Sequence, residues 1–178
     1  MENNNPSEIF SIIKRRRSIR AFHPDPIPTE HIEQMREAVR WAPSAGNCQP
    51  WHFFFVFQQE ARKGLAAAAF EQDFISQAAL AVVVCALPGK SAIRYGKRGR
   101  DLYVYQDTAA AVENLLLLAT DLGYGSCWVG AFDENRARQV LKLPEEIRPV
   151  AIIPIGKPAE NPDPPPRLLP EKIITVLK

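Results

Sequence analysis

Five cations fall within the seven residues Lys14-Arg15-Arg16-Arg17-Ser18-Ile19-Arg20. A phosphate monoester is held by such a set: two or more guanidinium or ammonium groups making charge-assisted, often bidentate bonds, with a hydroxyl such as that of Ser18 and backbone donors beside them. The solvated basic end of a helix has the same composition and is favoured by the helix dipole, so on spacing alone both readings stand. A second basic group, Lys97-Arg98-Gly99-Arg100, again suggests an anion site. The stretch Pro43-Ser44-Ala45-Gly46-Asn47-Cys48-Gln49-Pro50-Trp51 offers neutral chemistry instead. Its Ser, Asn and Gln can present donors and acceptors to the polar edge of a planar heterocycle, or it is a plain connecting loop. The three histidines, His23, His31 and His52, are scattered, and no Ser-His-Asp or Cys-His arrangement assembles from them. Gly123-Tyr124-Gly125 is not a dinucleotide fingerprint: the third glycine would have to stand at Trp128, and the segment follows a predicted helix instead of opening one.

These segments must be positioned by elements that the apolar pattern predicts. Ile9, Phe10, Ile12 and Ile13 give a short amphipathic helix behind Ser7, running into the basic cluster. After a turn-rich stretch from Phe22 to Pro28, a second helix begins with Thr29 as N-cap, carries Ile32, Met35, Val39 and Ala42 on one face, and stops at Pro43. His52 to Phe57 reads as a central strand, about Glu60 to Phe70 as a helix, and Leu80 to Ala86 as a buried strand. Pro88 to Asp101 reads as a Gly- and Arg-bearing loop. The region from Tyr105 to Leu122 has few polar interruptions and predicts a core helix ending at Gly123. Ser126 to Gly130 is a short strand or turn, Asp133 caps a helix running to Leu141, and Val150 to Gly156 is another apolar strand. Strands and helices interleave, as in an α+β or α/β sandwich. Between Lys157 and Pro170 stand six prolines, which favour an extended form reaching on the order of 40 Å. Ile173 to Leu177 then reads as a terminal strand in need of a sheet edge, a second copy's edge being one candidate.

Composition excludes several classes. With 178 residues, 46% hydrophobic and 24% charged, the chain has one domain's worth of ordinary globular sequence, able to remove roughly 70% of its extended surface from water. Its 22 Lys and Arg against 20 Asp and Glu leave a net charge of +2, too little for a global field that attracts nucleic acid or membrane. A nucleic-acid module using the arginine cluster is therefore a remote alternative. Cys48, Cys85 and Cys127 are odd in number and in no metal or redox spacing, which predicts reduced thiols and a cytoplasmic protein. Met1 to Pro6 lacks the basic start and apolar run of a signal peptide. The apolar stretch from Ala78 to Pro88 is about half the roughly 20 residues that cross a bilayer.

Taken in order, RRRSIRAF at 15–22, APSAGNCQPWHF at 42–53, QDTAAAVENLLLLATDLGYGSCWVGAFD at 106–133 and VAIIPIGKP at 150–158 resemble the nitroreductase family of FMN-dependent oxidoreductases. The resemblance implies an α+β three-layer sandwich, a central and mostly antiparallel sheet flanked by helices. It implies one domain over residues 1–178, with the 157–178 tail exchanged in a homodimer that shares two FMN molecules. Arg16, Arg17 and Ser18 are implied to hold the phosphate and ribityl chain, Arg20 to face the N1 and O2 edge of the ring, and Arg167 to complete the phosphate clamp. Pro43, Ser44, Ala45, Gly46, Asn47 and Gln49 are implied to meet the FMN of the other subunit, and Gln72 the pyrimidine edge of the ring. In the turn Trp128-Val129-Gly130, the Gly130 N–H is implied to point at flavin N5 as the catalytic contact, where better-known members often have an acidic residue. The implied reaction is ping-pong: NADH or NADPH gives hydride to N5, leaves, and a nitroaromatic, quinone or similar acceptor takes it. Tyr95, Lys97 and Arg100 are candidates to line the opening. A flavin-binding relative with a dedicated non-nitro substrate, or a flavin carrier, is the alternative.

Overall fold

In a computed structural model, which describes residues 7–177, the centre of the molecule is the strand that the apolar run dictates. The signal-peptide reading of Met1 to Pro6 lies outside the described residues. Strand β3, Leu80–Ala86, is buried along all seven residues. Because successive side chains of a strand face opposite ways, it feeds two cores at once. Leu80, Val82 and Val84 pack with Met35, Val39, Leu115 and Ile153, while Ala81, Val83 and Cys85 pack with Leu65, Ile75, Ala137 and Ile152. The first core is closed by α2 (Thr29–Arg40) and α6 (Val104–Asp121), the second by α3 (Gln59–Ala68), α4 (Phe74–Gln77) and α7 (Glu134–Leu141). The result is the expected three-layer α+β sandwich.

The named strands pair antiparallel in the order β1-β5-β3-β2, with β4 also on β5. Here β1 is Phe22–His23, β2 Trp51–Val56, β4 Gly125–Ser126 and β5 Arg148–Pro158. Strand β2 is thus an edge strand and not the central one its apolar run suggested: Trp51, Phe53, Phe54 and Phe55 are each half-buried, aromatic bulk lining an edge that α2 partly covers.

Local chemistry sets most boundaries. Helix α1, Glu8–Arg15, is capped by Ser7, whose side chain accepts from the Phe10 N–H. Asp133 caps α7 through bonds from Asn135 and Arg136 N–H. At the end of α6, Gly123 takes a left-handed φ of 82° and the Tyr124 N–H reaches back to the Ala119 carbonyl at 2.8 Å, a Schellman-type stop. Thr29 is not an N-cap: it is the first helical residue, and Pro28 before it has no side-chain bond to give. The stretch from Pro88 is not a loop. It forms α5, Pro88–Arg98, followed by a π-helical turn, Gly99–Tyr103. Pro88 stands in the first turn, where a missing N–H costs nothing, and Gly96 bends the helix at φ 55°.

Beyond β5 the chain runs without regular structure to a 3-10 turn, Pro170–Lys172. Ile173 to Leu177 is not a strand within this chain and is exposed, Leu177 at 92%. Among the described residues no helix is long and apolar enough to cross a membrane.

Candidate functional site

The arginine run leaves α1 at Arg16 and turns alongside the sheet. The Ile19 N–H donates to the Ser126 carbonyl at 2.9 Å, Ser18 bridges Ser126 in parallel, and Ile19 packs against Gly125, where a Cβ would lie 2.8 Å from its side chain. Opposite, the Ala159 N–H donates to the Ala21 carbonyl at 2.9 Å, and the Arg20 N–H to the Glu160 carboxylate. These bonds fold the proline-rich tail back across the arginines. The outcome is a cleft of about 410 Å³ lined by Arg16, Arg17, Ser18, Arg20 and Arg167, with Asp163 the one carboxylate in its wall. The four residues expected around a phosphate, Arg16, Arg17, Ser18 and Arg167, are therefore brought together, Arg167 from the far end of the chain, with Arg20, expected at the ring, in the same wall. Arg17 also braces the backbone: its Nη1 donates to the carbonyls of Lys14 at 2.6 Å and Arg16 at 2.8 Å, satisfying acceptors left open where α1 ends. Beneath the cleft the Cys127 thiol is buried. Burial pushes its pKa up, against the pull of Arg20 and Arg16 and a hydrogen bond with Ser18.

The loop after α2 is shaped from within and from both sides. Ser44 Oγ accepts from the Gln49 N–H at 2.9 Å, and Gln49 Nε2 donates to Asn47 Oδ1 at 2.9 Å. Gly46, Asn47 and Gln49 all lie at left-handed φ, 53°, 55° and 48°, which costs the two non-glycine residues local strain. From below, Asp107 of α6 accepts the Ala45 N–H on Oδ1 at 3.0 Å. Its Oδ2 is buried without a partner among the described residues, and burial pushes the carboxyl pKa up, the Ala45 bond pulling it down. From above, Arg94 Nη1 donates to the Gly46 carbonyl at 2.9 Å and Lys90 Nζ to the Gln49 carbonyl at 3.0 Å. Pro43 is exposed at the loop's start.

A third piece is the turn after β4. Val129, expected to touch the cofactor, is instead spent on the sheet: its N–H donates to the Ile152 carbonyl at 3.0 Å, its carbonyl accepts from the Ile152 N–H at 2.9 Å, and its side chain is buried. Trp128 is 43% exposed and Gly130 is exposed with open space where a Cβ would stand. Gln72 braces this turn, its Nε2 donating to the Ala69 carbonyl at 2.8 Å and the Ala131 carbonyl at 3.3 Å. Its amide donor is thus engaged within its own chain and leaves the acceptor for a ligand.

The arginine cleft and the Ser44 loop do not meet within the chain. Ser18 sits four strand positions from β2, at the Leu80 and Ile155 level of the sheet, whereas the Ser44 loop enters β2 at the Ala86 and Arg148 level. At about 4.8 Å per strand and 3.4 Å per residue this is roughly 20 Å in each direction. Sequence reasoning missed Asp107, Arg94 and Lys90 as the residues that hold the loop. The one signal for Asp107 was a carboxylate inside a nearly apolar helix.

Known proteins share this sequence pattern and fold. A family model described as "Nitroreductase family" matches residues 13–87 and 68–157. A protein of Archaeoglobus fulgidus, provisionally named NADH dehydrogenase/NAD(P)H nitroreductase, is 38% identical over 160 residues, 88% of each chain. Among solved structures, a Bacteroides thetaiotaomicron protein provisionally given the same two activities superposes with a TM-score of 0.84 at 29% identity, covering 96% of this chain and 98% of that one. The NADPH:FMN oxidoreductase of Vibrio harveyi, solved with NAD+, gives a TM-score of 0.87 at 25% identity and covers 97% and 78%.

Proposed function

Since this chain belongs to the nitroreductase family, we propose that it is an NAD(P)H-dependent oxidoreductase that binds FMN and passes electrons to a nitroaromatic, quinone or similar small acceptor by a ping-pong mechanism. The observation that carries this reading is the cleft uniting Arg16, Arg17, Ser18 and Arg20 with Arg167. Clustered guanidinium groups with one carboxylate among them fit a dianionic phosphate, and the neutral loop chemistry of Ser44 to Gln49 fits the polar edge of a flat ring.

Bound FMN supplies reversible two-electron chemistry between a nicotinamide and an acceptor. The chain's own residues bind and orient. Arg16, Ser18 and Arg167 hold the phosphate and ribityl chain, and Arg17 keeps their backbone in place. Arg20, exposed at the rim, supplies a fixed cation to negative charge on the ring. Gly130 gives a backbone N–H at a position where no side chain stands in the way. No side-chain acid or base is assigned a role in this reading.

The Ser44 loop, at the opposite corner of the sheet, serves the cofactor of a second copy. Support for a homodimer is an apolar groove of about 280 Å³ along α1, α2 and α6, lined by Ile9, Ile12, Ala38, Trp41, Leu117 and Leu118 among others. Trp41 there is 72% exposed; a patch of this kind on a globular surface is covered by a partner. The exposed tail from Ile173 to Leu177 and the open edge of β2 give each copy a strand to offer and a place to receive one. Three free cysteines fit a reducing, cytoplasmic setting.

The test is direct. The purified protein is mixed with FMN, and its absorbance spectrum and sedimentation are recorded, followed by anaerobic NADH or NADPH. A yellow dimer bleached by a nicotinamide and recoloured by a quinone is expected. A colourless protein that takes up no FMN refutes the proposal, and a yellow protein that neither nucleotide bleaches leaves a flavin carrier.

A further inference from the structure

Helix α5 and the turn after it hold most of their cations without a carboxylate partner, unlike α2. On α2 each late arginine is neutralised one turn back, Arg36 by Glu33 at 2.7 Å and Arg40 by Glu37 at 2.5 Å. Lys63 of α3 has Glu60 at 2.8 Å, and Arg136 of α7 has Asp133 at 3.9 Å. Between Pro88 and Tyr103 stand five cations, Lys90, Arg94, Lys97, Arg98 and Arg100, against the single acid Asp101. Only Lys97 has a carboxylate partner among the described residues, and that is Asp101.

Of the other cations, Arg94 and Arg98 meet aromatic rings, and Lys90 and Arg94 meet backbone carbonyls. Arg94 lies 5.6 Å from the centre of the Tyr95 ring and Arg98 5.3 Å from that of Tyr103. Arg98 Nε also donates to the Tyr103 hydroxyl at 2.9 Å. The two tyrosines meet edge to face at 5.2 Å. Flat rings flanked by guanidinium planes stack on a base, and spare cations beside them take its phosphates. The patch is also in the right place. Arg94 holds the Gly46 carbonyl, and a Cβ at Gly46 would collide with the Tyr95 hydroxyl and lie 2.7 Å from Arg94 Cζ. It therefore borders the loop assigned to the flavin.

We infer that the Tyr95, Tyr103, Arg94 and Arg98 surface, with Arg100, recognises the adenylate end of the electron donor and reads a 2′-phosphate on its ribose, so that this protein uses NADPH in preference to NADH. The donor role rests on the proposed flavin chemistry; the nucleotide selectivity of the patch is testable without turnover. Gly96 and the adjoining turn place Arg98 and Arg100 past the bend in α5, outside the contacts that fix Gly46.

The experiment titrates FMN-loaded protein with adenosine 2′,5′-bisphosphate and with 5′-AMP by calorimetry, for wild type, the double variant R98A/R100A and the charge-keeping R98K/R100K. Wild type is expected to bind the bisphosphate at least tenfold more tightly than AMP, with the difference shrinking as salt rises from 50 to 300 mM, as about 10 Å of screening length requires. The Ala pair is expected to bring the ratio below about threefold, and the Lys pair to retain most of it. In steady state the same ratio is expected between the KM values for NADPH and NADH. FMN affinity reports whether the variants are folded. Equal binding of the two probes by yellow wild-type protein, or a ratio that survives in R98A/R100A, overturns the inference alone. A protein that takes up no FMN overturns the proposed function and with it the donor role of the patch.

Discussion

Replacing Arg16 by alanine removes one guanidinium from the wall shared by two clefts of about 410 Å³ each. A hydrogen bond involving a charged group contributes about 1.5–3 kcal/mol net. Arg16 is half-buried, so part of that strength is lost to solvent screening, and the lower end of the range applies. At 1.4 kcal/mol per decade this raises the Kd for FMN about tenfold to thirtyfold. Riboflavin, which has no phosphate, provides the control. Fluorescence titrations of both ligands against wild type and R16A are expected to show the FMN advantage shrinking by that factor while riboflavin moves less than about threefold. R167A is expected to do the same. R17A is expected to behave differently, because its Nη1 is spent on the Lys14 and Arg16 carbonyls: a thermal midpoint lower by a few degrees and a smaller effect on FMN. R20A is expected to slow reduction by NADPH more than it weakens FMN binding. Equal weakening of FMN and riboflavin by R16A would refute the phosphate assignment.

Gly46→Ala is expected to cost about 1–2 kcal/mol from left-handed backbone alone, before the new methyl meets Arg94 and Tyr95; thermal unfolding and FMN uptake measure it together, and an unchanged midpoint contradicts the packing described. At pH 8, one thiol, the half-buried Cys48, is expected to react promptly with a disulfide reagent, and all three only after unfolding. Cys85 is buried with its pKa pushed up to about 12, and Cys127 is buried and shifted the same way. Hydrogen bonds from Arg148 hold the Glu134 carboxyl below its usual 4.5. A lowered folded pKa contributes stability that is present above 4.5 and lost as pH falls through the lowered value. Glu134→Gln is therefore expected to flatten the acid side of the stability curve. The effect should stay below about 1 kcal/mol because both side chains are over 40% exposed.

Where burial alone decides structure, the sequence was easily read. An apolar run from Leu80 to Ala86 has no polar face to offer, so it could only be a strand covered on both sides. Asp133 declared its helix because a short carboxylate before a helix has open N–H groups to accept. The failures share a different cause. Pro88 to Asp101 carries glycines and cations that local reasoning assigns to loops, yet tertiary contact decided otherwise: Gly99 packs where a Cβ would lie 2.5 Å from the Ser91 carbonyl, and a helix fits that space. The aromatic run of β2 looked central because apolar content does not distinguish a strand covered by neighbours on both edges from one whose rings shield an open edge. The arginines were readable as an anion site from residue type alone, Arg167 only from family likeness, and the Ser44 loop as a match for a flat heterocycle from its neutral donors and acceptors. That the first two share a cleft depends on the tail's return past Ala21 and Glu160, which no local pattern shows.

The diagonal placement of the arginine cleft and the Ser44 loop has a genetic consequence. In the proposed two-fold pair every cofactor slot borrows one wall from each member, so two differently crippled alleles are expected to rescue one another. Co-expressing R16A with a chain damaged at Gly46 gives mixed pairs in which one slot inherits both lesions and the other inherits neither. Random assortment then restores about one quarter of the wild-type complement of slots, whereas a molecule that built each slot from a single polypeptide would restore none.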